Sequence, residues 1–581
     1  MSSKGQAFIP IRFKVVGFIL ILILITVVLR LFFLATFDRG FLLNRSQQQA
    51  NHPRVIPASR GVIFDRNGVP LAVSAPIDSI IFDGKVLSKT PANWKKLASN
   101  PNLGLSYNDI KNLLAPNPNS RYIIAKKNLP PDVADSVDDM NIPGVYVQRN
   151  QQSYYPEGAA LGQLVGFTDV NDVGQSGLEL AYNNYLKPTY GKQAVTESAL
   201  GQIYSINHLI KEAKDGHDLY LSVDSRLQYV TYQALASQVN SIGAKWGAAV
   251  VMNPHTGEVL AAVSYPSYNP NSITDRAGSN VKDQAITDQV EPGSTMKPVT
   301  ISAALASGKY TPTDKVDTNP GYYTLDGHKV ADDSNNGILT LTGIITRSSN
   351  VGVSKVGLTL NRQMLYNMFG EYGFTHKPSG GKFPGEAAGF MYPLKRLGDF
   401  QFATMMFGYS ISASVLQLAR MYSVFANGGI LYPASYVKLD EPPKGVRVVS
   451  PEVAKEMMMM LKTVVAPKSG GTGLLANVPG YVVGGKTGTS QVLTAGGYST
   501  TRHNAFFVGV IPADNPQLVI AVVMINPPGY WEGFGAIGAA PVFQKIALAA
   551  MHILGIAPSN DQINQELFRH QQRYYKQLIE A

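Results

Sequence analysis

The sequence predicts a multidomain α+β protein attached to a membrane by a single N-terminal helix. Three features point to this. Residues 15–37 are almost wholly apolar, and residues 75–140 mix short amphipathic segments with loops such as Pro116-Asn117-Pro118-Asn119. In the second half, apolar strand-like runs stand at both ends of a long helical middle. That order implies a five-stranded antiparallel sheet, completed by the returning C-terminal segment and flanked by helices. With 581 residues, 45% hydrophobic and 15% charged, the chain can bury more than one core.

At 1.5 Å per residue, a run as long as 15–37 crosses a hydrocarbon layer of about 30 Å. Lys4, Arg12 and Lys14 precede it, so the positive-inside rule places residues 1–14 in the cytoplasm and the remainder outside. The competing reading is a cleaved signal peptide, but the run is too long and no small-x-small site follows. Arg30, near the outer end, either snorkels to the headgroups or faces a membrane partner.

Residues 45–215 are expected to form one mixed α/β domain. The stretch from Arg60 to Ala72 predicts two short strands around the Asn67-Gly68 turn, a hairpin signal without chemistry. Tyr154-Tyr155-Pro156-Glu157, Gly166-Phe167-Thr168 and Gly177-Leu178-Glu179 follow, with no pairing of nucleophile and base. A tight turn at Asp215-Gly216-His217-Asp218 opens a second domain, 216–556. It is expected to hold strands at 219–223, 248–252, 259–263, 481–483, 505–511 and 518–525, and helices at 225–242 and 541–554. The Gly/Thr-rich residues 490–503 read as a mobile loop. A polar tail, 557–581, carries Gln, Arg and Tyr at helical spacing and receives no role.

The formal charge of +10 comes without a Lys/Arg run or an aromatic-interleaved basic stripe, which argues against nucleic acid and for an anionic envelope partner or a solvated surface. Zero cysteines exclude disulfides and thiolate metal sites, and the nine histidines form no HExxH pair.

The chemistry centres on Glu291-Pro292-Gly293-Ser294-Thr295-Met296-Lys297-Pro298. A helix expected to start near Ser294 and stop at Gly308 would put Ser294 and Lys297 on one face. Pro298 is tolerated because first-turn N–H groups have no intrahelical partner. The same spacing recurs at Ser379 and Lys382, but Pro378, Gly380 and Gly381 predict a loop that holds no common face. Next, Ser348-Ser349-Asn350 puts a hydroxyl and an amide before an apolar helix, where they could also serve as helix caps. Last, Gly484-Gly485-Lys486-Thr487-Gly488-Thr489 follows the strand expected at 481–483. Its Lys and Thr side chains suit a peptide carboxylate, and Gly488 would let a peptide backbone approach and pair.

SxxK, SxN and KTG in this order form the set shared by penicillin-binding proteins and class A β-lactamases. With the membrane anchor and the Arg60–Ala72 segment, the whole chain resembles the class B penicillin-binding proteins. Ala285-Ile286-Thr287-Asp288, Leu341-Thr342-Gly343 and Ser348-Ser349-Asn350-Val351-Gly352-Val353-Ser354-Lys355 make it similar to their division-specific, FtsI-type branch. The elongation-specific branch is the nearest alternative.

The resemblance implies an elongated pedestal (penicillin-binding protein dimerisation-type) domain and a β-lactamase-like transpeptidase domain. It also implies a septal enzyme of the inner membrane that cross-links peptidoglycan stem peptides ending in D-Ala-D-Ala and is acylated by β-lactams. Ser294 would be the nucleophile and Lys297 its base, lowered from an ordinary pKa of about 10.4 by burial and by like charge from Lys486. Ser348 and Asn350 would relay the proton and orient substrate, Thr487 and Thr489 would bind its carboxylate, and the N–H groups of Ser294 and Thr489 would form the oxyanion hole. No cofactor or metal is implied. Expected partners are an FtsW-type glycan polymerase, FtsN and the FtsQLB complex. The rival activities are a β-lactamase or carboxypeptidase, opposed by the anchor and the absence of a deacylating Glu motif, and a non-catalytic β-lactam sensor.

Overall fold

The apolar N-terminal run folds as one helix, α1 (Phe8–Thr36), in a computed structural model that describes residues 8–36, 39–40, 51–197 and 203–558. Within α1, Ile11–Thr36 is long and apolar enough to cross a bilayer, and none of its most apolar window is buried. Residues 1–7 and the tail from 559 onward lie outside the described residues.

The chain divides into two compact units. The first comprises Met1–Ser59, Pro76–Asn150 and Pro188–Gly216. It contains a three-stranded antiparallel sheet, Asn51–Ile56, Gly191–Glu197 and Ile203–Lys211. Its core gathers Ile80, Phe82, Leu97, Ile110, Leu114 and Val137 from the amphipathic segments read in the sequence. The second unit comprises Arg60–Ala75, Gln151–Lys187 and His217–Ala581. The units therefore interleave along the chain, where the sequence suggested one cut near 216.

The interleaving has a local cause in the second unit. Arg60 is buried with its guanidinium on Glu179 at 2.6 Å, and it also donates to the Asp172 carbonyl and to Asn183 Oδ1. Tyr155 completes the cluster, donating to Glu179 Oε1 and accepting the Thr168 N–H. A buried charge requires such partners. The segments 60–75 and 151–187 are thus bound to each other, and the hairpin at Ile63 and Ala72 forms as predicted.

Of the second unit's elements, those that position the site are α2 (Ser225–Ile242), β1 (Trp246–Met252), β2 (Val259–Tyr265), α3 (Lys297–Ala306), α4 (Leu341–Arg347) and α5 (Asn350–Leu358). They continue with α6 (Val415–Ala426), α7 (Pro451–Val465), β3 (Gly484–Thr494), β4 (Gly497–Ile511), β5 (Leu518–Ile525) and α8 (Ala540–Ile553). The sheet is antiparallel throughout, in the order β2-β1-β5-β4-β3. β1 and β5 are buried at every residue, so both faces of the sheet centre are covered. α2 and α8 pack on each other and on the sheet, and α6 and α7 do likewise. Gly535–Ile553, which ends in α8, is apolar enough to pass for a membrane span, but half of its most apolar window is buried.

Three strand expectations change. The strand predicted over 219–223 shortens to Leu219–Tyr220. Tyr481 makes only an isolated bridge, and the strand starts at Gly484, so the Lys486 motif lies in β3 itself. Residues 490–503 do not form a loop: β3 and β4 stay paired to Thr494 and Gly497, which turns at φ 102°. The low strand propensity of the glycines in this stretch is overridden by pairing along a fifteen-residue neighbour.

Candidate active site

Ser294 sits in a single 3-10 turn, Gly293–Met296, and α3 begins only at Lys297. The expected helix start is therefore tightened by one turn. A 3-10 turn eclipses residues i and i+3, and the Lys297 N–H donates to the Ser294 carbonyl, so the two motif side chains are stacked more directly than in an α-helix. Gly293 has φ 55°, and a Cβ there would lie 2.4 Å from the Thr489 carbonyl oxygen. Only glycine brings the Ser294 turn this close to β3.

Lys297 is fully buried. Its Nζ donates to the Ser348 carbonyl and, at 3.1 Å, contacts Ser348 Oγ. Ser348 ends α4 in the left-handed region at φ 61°, a conformation that turns its side chain and carbonyl toward the same amine. The capping role goes to neither motif residue. Ser349 Oγ accepts the Gly352 N–H at 2.8 Å and donates to Asp332 Oδ2 at 2.6 Å. Asp332 Oδ1 accepts the Val351 N–H at 2.9 Å, while Asn350 Nδ2 donates to the Ala331 carbonyl at 2.8 Å. The strand His328–Ala331 and Asp332 thus fix the start of α5.

On β3, the edge strand, Lys486 is also fully buried and donates to the Thr487 carbonyl at 3.1 Å. Thr487 Oγ1 and Thr472 Oγ1 are 2.6 Å apart, and Thr489 Oγ1 accepts the Gly535 N–H. A Cβ on Gly488 would lie 2.7 Å from Thr295 Cγ2 and 2.9 Å from the Pro292 carbonyl. The close approach that Gly488 permits within the fold is that of the Ser294 turn.

Burial pushes the Lys297 amine down to about 7, against the upward pull of Asp332 and Asp333. Burial also pushes Lys486 well below the ordinary lysine value, and the nearby Lys297 pushes it further. Burial of both amines favours their neutral forms, the state a general base requires. Desolvation is the leading cause for both, and the like charge expected to lower Lys297 acts instead on Lys486. Asp332, Asp333 and Thr472 escape sequence reasoning, because they come from separate segments and belong to no motif spacing.

Residues 247–548 match the model of the penicillin-binding protein transpeptidase domain, and residues 55–221 match that of the penicillin-binding protein dimerisation domain. The chain is 36% identical over 564 residues to a probable peptidoglycan D,D-transpeptidase, PbpC, of Pseudomonas aeruginosa, covering 96% of this chain and 98% of that one. It is 33% identical over 563 residues to the peptidoglycan D,D-transpeptidase FtsI of Escherichia coli K12, covering 96% and 94%. Among solved structures it resembles penicillin-binding protein 3 of Mycobacterium tuberculosis in complex with ampicillin, with a TM-score of 0.68 and 27% identity over 88% of this chain and 98% of that one.

Proposed function

Because the chain belongs to the penicillin-binding protein transpeptidases and is a serine peptidoglycan D,D-transpeptidase, we propose that Ser294 carries its acyl group and that Lys297 is the base. The observation that carries this is the buried Lys297 amine, held down to about 7 and placed one 3-10 turn from Ser294. A neutral Nζ takes the Ser294 proton as Oγ attacks the penultimate D-Ala carbonyl. The C–N bond to the terminal D-Ala then breaks, and that amine leaves with the proton. An acceptor amine attacks the resulting ester, forms the cross-link and returns the hydroxyl to Ser294. Ser348, which the same amine contacts, and Asn350 relay the proton and orient the peptide. Lys486, Thr487 and Thr489 hold the donor's carboxylate, and the N–H groups of Ser294 and Thr489 receive the oxyanion.

The finer assignment is a septal one, supported by the near full-length similarity to FtsI. In it α1 is a single-pass anchor in the inner membrane, its N-terminus cytoplasmic and the catalytic unit periplasmic. It meets an FtsW-type polymerase through α1, with FtsN and FtsQLB among the other partners. Replacing α1 with an unrelated membrane helix should impair division while leaving β-lactam acylation intact. Undiminished septation would remove the helix-specific contact.

The chemistry is tested by the intact mass of the protein after benzylpenicillin, with the adduct mapped. One stable adduct on Ser294, absent from Ser294→Ala, is the expected result. An adduct on any other residue, or rapid turnover without accumulation, overturns the assignment.

A further inference from the structure

The geometry points to Tyr409, held in place by the Glu291–Tyr498 pair, as the residue that sets how far a donor peptide can pair along the edge of β3. The inference rests on the reading above, in which the donor's carboxylate lies at Thr487 and Thr489.

Backbone N–H and C=O groups on a strand alternate sides with a two-residue repeat. The Gln491 N–H reaches the Tyr409 hydroxyl at 3.2 Å, away from β4, so it belongs to the free edge. Thr489 and Thr487 share its parity, and the register slips only beyond Gln491. A donor with its carboxylate at Thr487 and its scissile carbonyl at Thr489 runs antiparallel to β3. Its residues upstream of the scissile bond therefore come next to Gln491, where Tyr409 already occupies the N–H.

Tyr409 is braced. Gly408, at φ 94°, lies so near the nucleophile's turn that a Cβ there would be 2.1 Å from the Gly293 carbonyl oxygen, and Gly408 accepts the Gly293 N–H at 3.2 Å. The Tyr409 ring meets that of Tyr498 edge-on at 5.4 Å. Tyr498 rises from the β3–β4 hairpin and donates to Glu291 Oε1 at 2.8 Å, and the same oxygen accepts the Ser410 N–H at 3.0 Å. Glu291 lies three residues before Ser294, so the hairpin tip, the nucleophile's turn and Tyr409 form one closed contact. A short donor ends before this contact. A long donor pairs with Gln491 only after the Tyr409 hydroxyl has left it.

The test compares the full-length protein in detergent with its Tyr409→Phe and Tyr498→Phe variants, each of which keeps its ring. Two thioester donors are used: an N-benzoyl-D-alanyl thioester, which stops at the scissile residue, and a stem tetrapeptide thioester, which extends past Gln491. Tyr409→Phe should raise kcat/KM for the long donor about threefold to tenfold relative to the short one, the range set by one net hydrogen bond. Tyr498→Phe should move the ratio the same way and less. An unchanged ratio, or a ratio that falls because Tyr409 contacts the donor directly, overturns the proposal. Benzylpenicillin labelling of Ser294 in all three proteins separates this failure from failure of the underlying reading: loss of labelling in the unmodified protein would condemn the latter.

Discussion

Ser294 and Lys297 share their spacing with Ser379 and Lys382, yet the two pairs end in opposite surroundings. Lys297 is fully buried, with its amine on Ser348. Lys382 is exposed, and Ser379 donates its hydroxyl to the buried Glu386 at 2.7 Å, with Glu386 also accepting the Ser379 and Gly381 N–H groups. In the second pair the serine is an internal strut of a turn. The difference lies in what surrounds the lysine: a dry site with a second amine in one case, water in the other. Spacing brings two groups within reach, and desolvation decides whether one becomes a base.

The largest expected effect breaks this asymmetry directly. Lys297→Met keeps the volume and removes the base, so acylation by benzylpenicillin should slow by about 10²–10⁴-fold. Lys382→Ala should stay within about twofold of the unmodified rate, as expected of an exposed site. Ser379→Ala should leave acylation intact but lower the melting temperature, because Glu386 loses a donor at a cost of about 1–3 kcal/mol. Stability gives a second readout. Lys297 is held at about 7 in the fold against about 10.4 when unfolded, so the unfolded chain binds more protons between those values and stability rises with pH across that window. Lys297→Met should flatten the rise, and an unaltered slope would show that the amine is not desolvated.

A smaller effect sharpens the comparison by changing the charge around the buried lysine. Asp332 pulls the Lys297 value upward and holds Ser349 and the Val351 N–H. In Asp332→Asn the acid limb of the acylation profile should move to lower pH, since more of the amine is neutral at a given pH. The rate at the plateau should fall about fivefold to a hundredfold as α5 loosens, the range of about 1–3 kcal/mol for a charge-assisted bond. A limb that stays in place while the rate falls would make Asp332 a purely structural residue.

The same contrast explains what could be read from the sequence. α2 was legible because its signals are local: Asp224 caps its first turn and Gly243 ends it at φ 63°. Four of the five sheet strands were found, and Lys297, Ser348 and Lys486 gather beside the turn that carries Ser294, since their segments carry motifs. The edge strand was misread at both ends, because Gly484, Gly485 and the hairpin's Gly496 and Gly497 have weak strand propensity and the strand is ordered by its pairing with β4. Asp332 and Thr472 were illegible for a different reason. Each acts through hydrogen bonds to a separate segment, Asp332 to Ser349 and Val351 and Thr472 to Thr487, and no local period or spacing records such contacts.

Thr472 provides the smallest effect and the finest test. Its hydroxyl lies 2.6 Å from that of Thr487, a residue assigned to the donor's carboxylate, so it fixes where the Thr487 hydroxyl points and touches no reacting atom. Thr472→Val preserves shape and removes the partner, leaving Thr487 free to rotate. The expected result is a rise in KM of about twofold to tenfold for donors with a free carboxylate, with kcat little changed, the range of one neutral hydrogen bond. Thr472→Ser should restore KM, because it returns the hydroxyl at the cost of a methyl group. If kcat falls with KM unmoved, or if Ser fails to rescue, then Thr472 shapes the turn beside β3 and the orientation of Thr487 has another source.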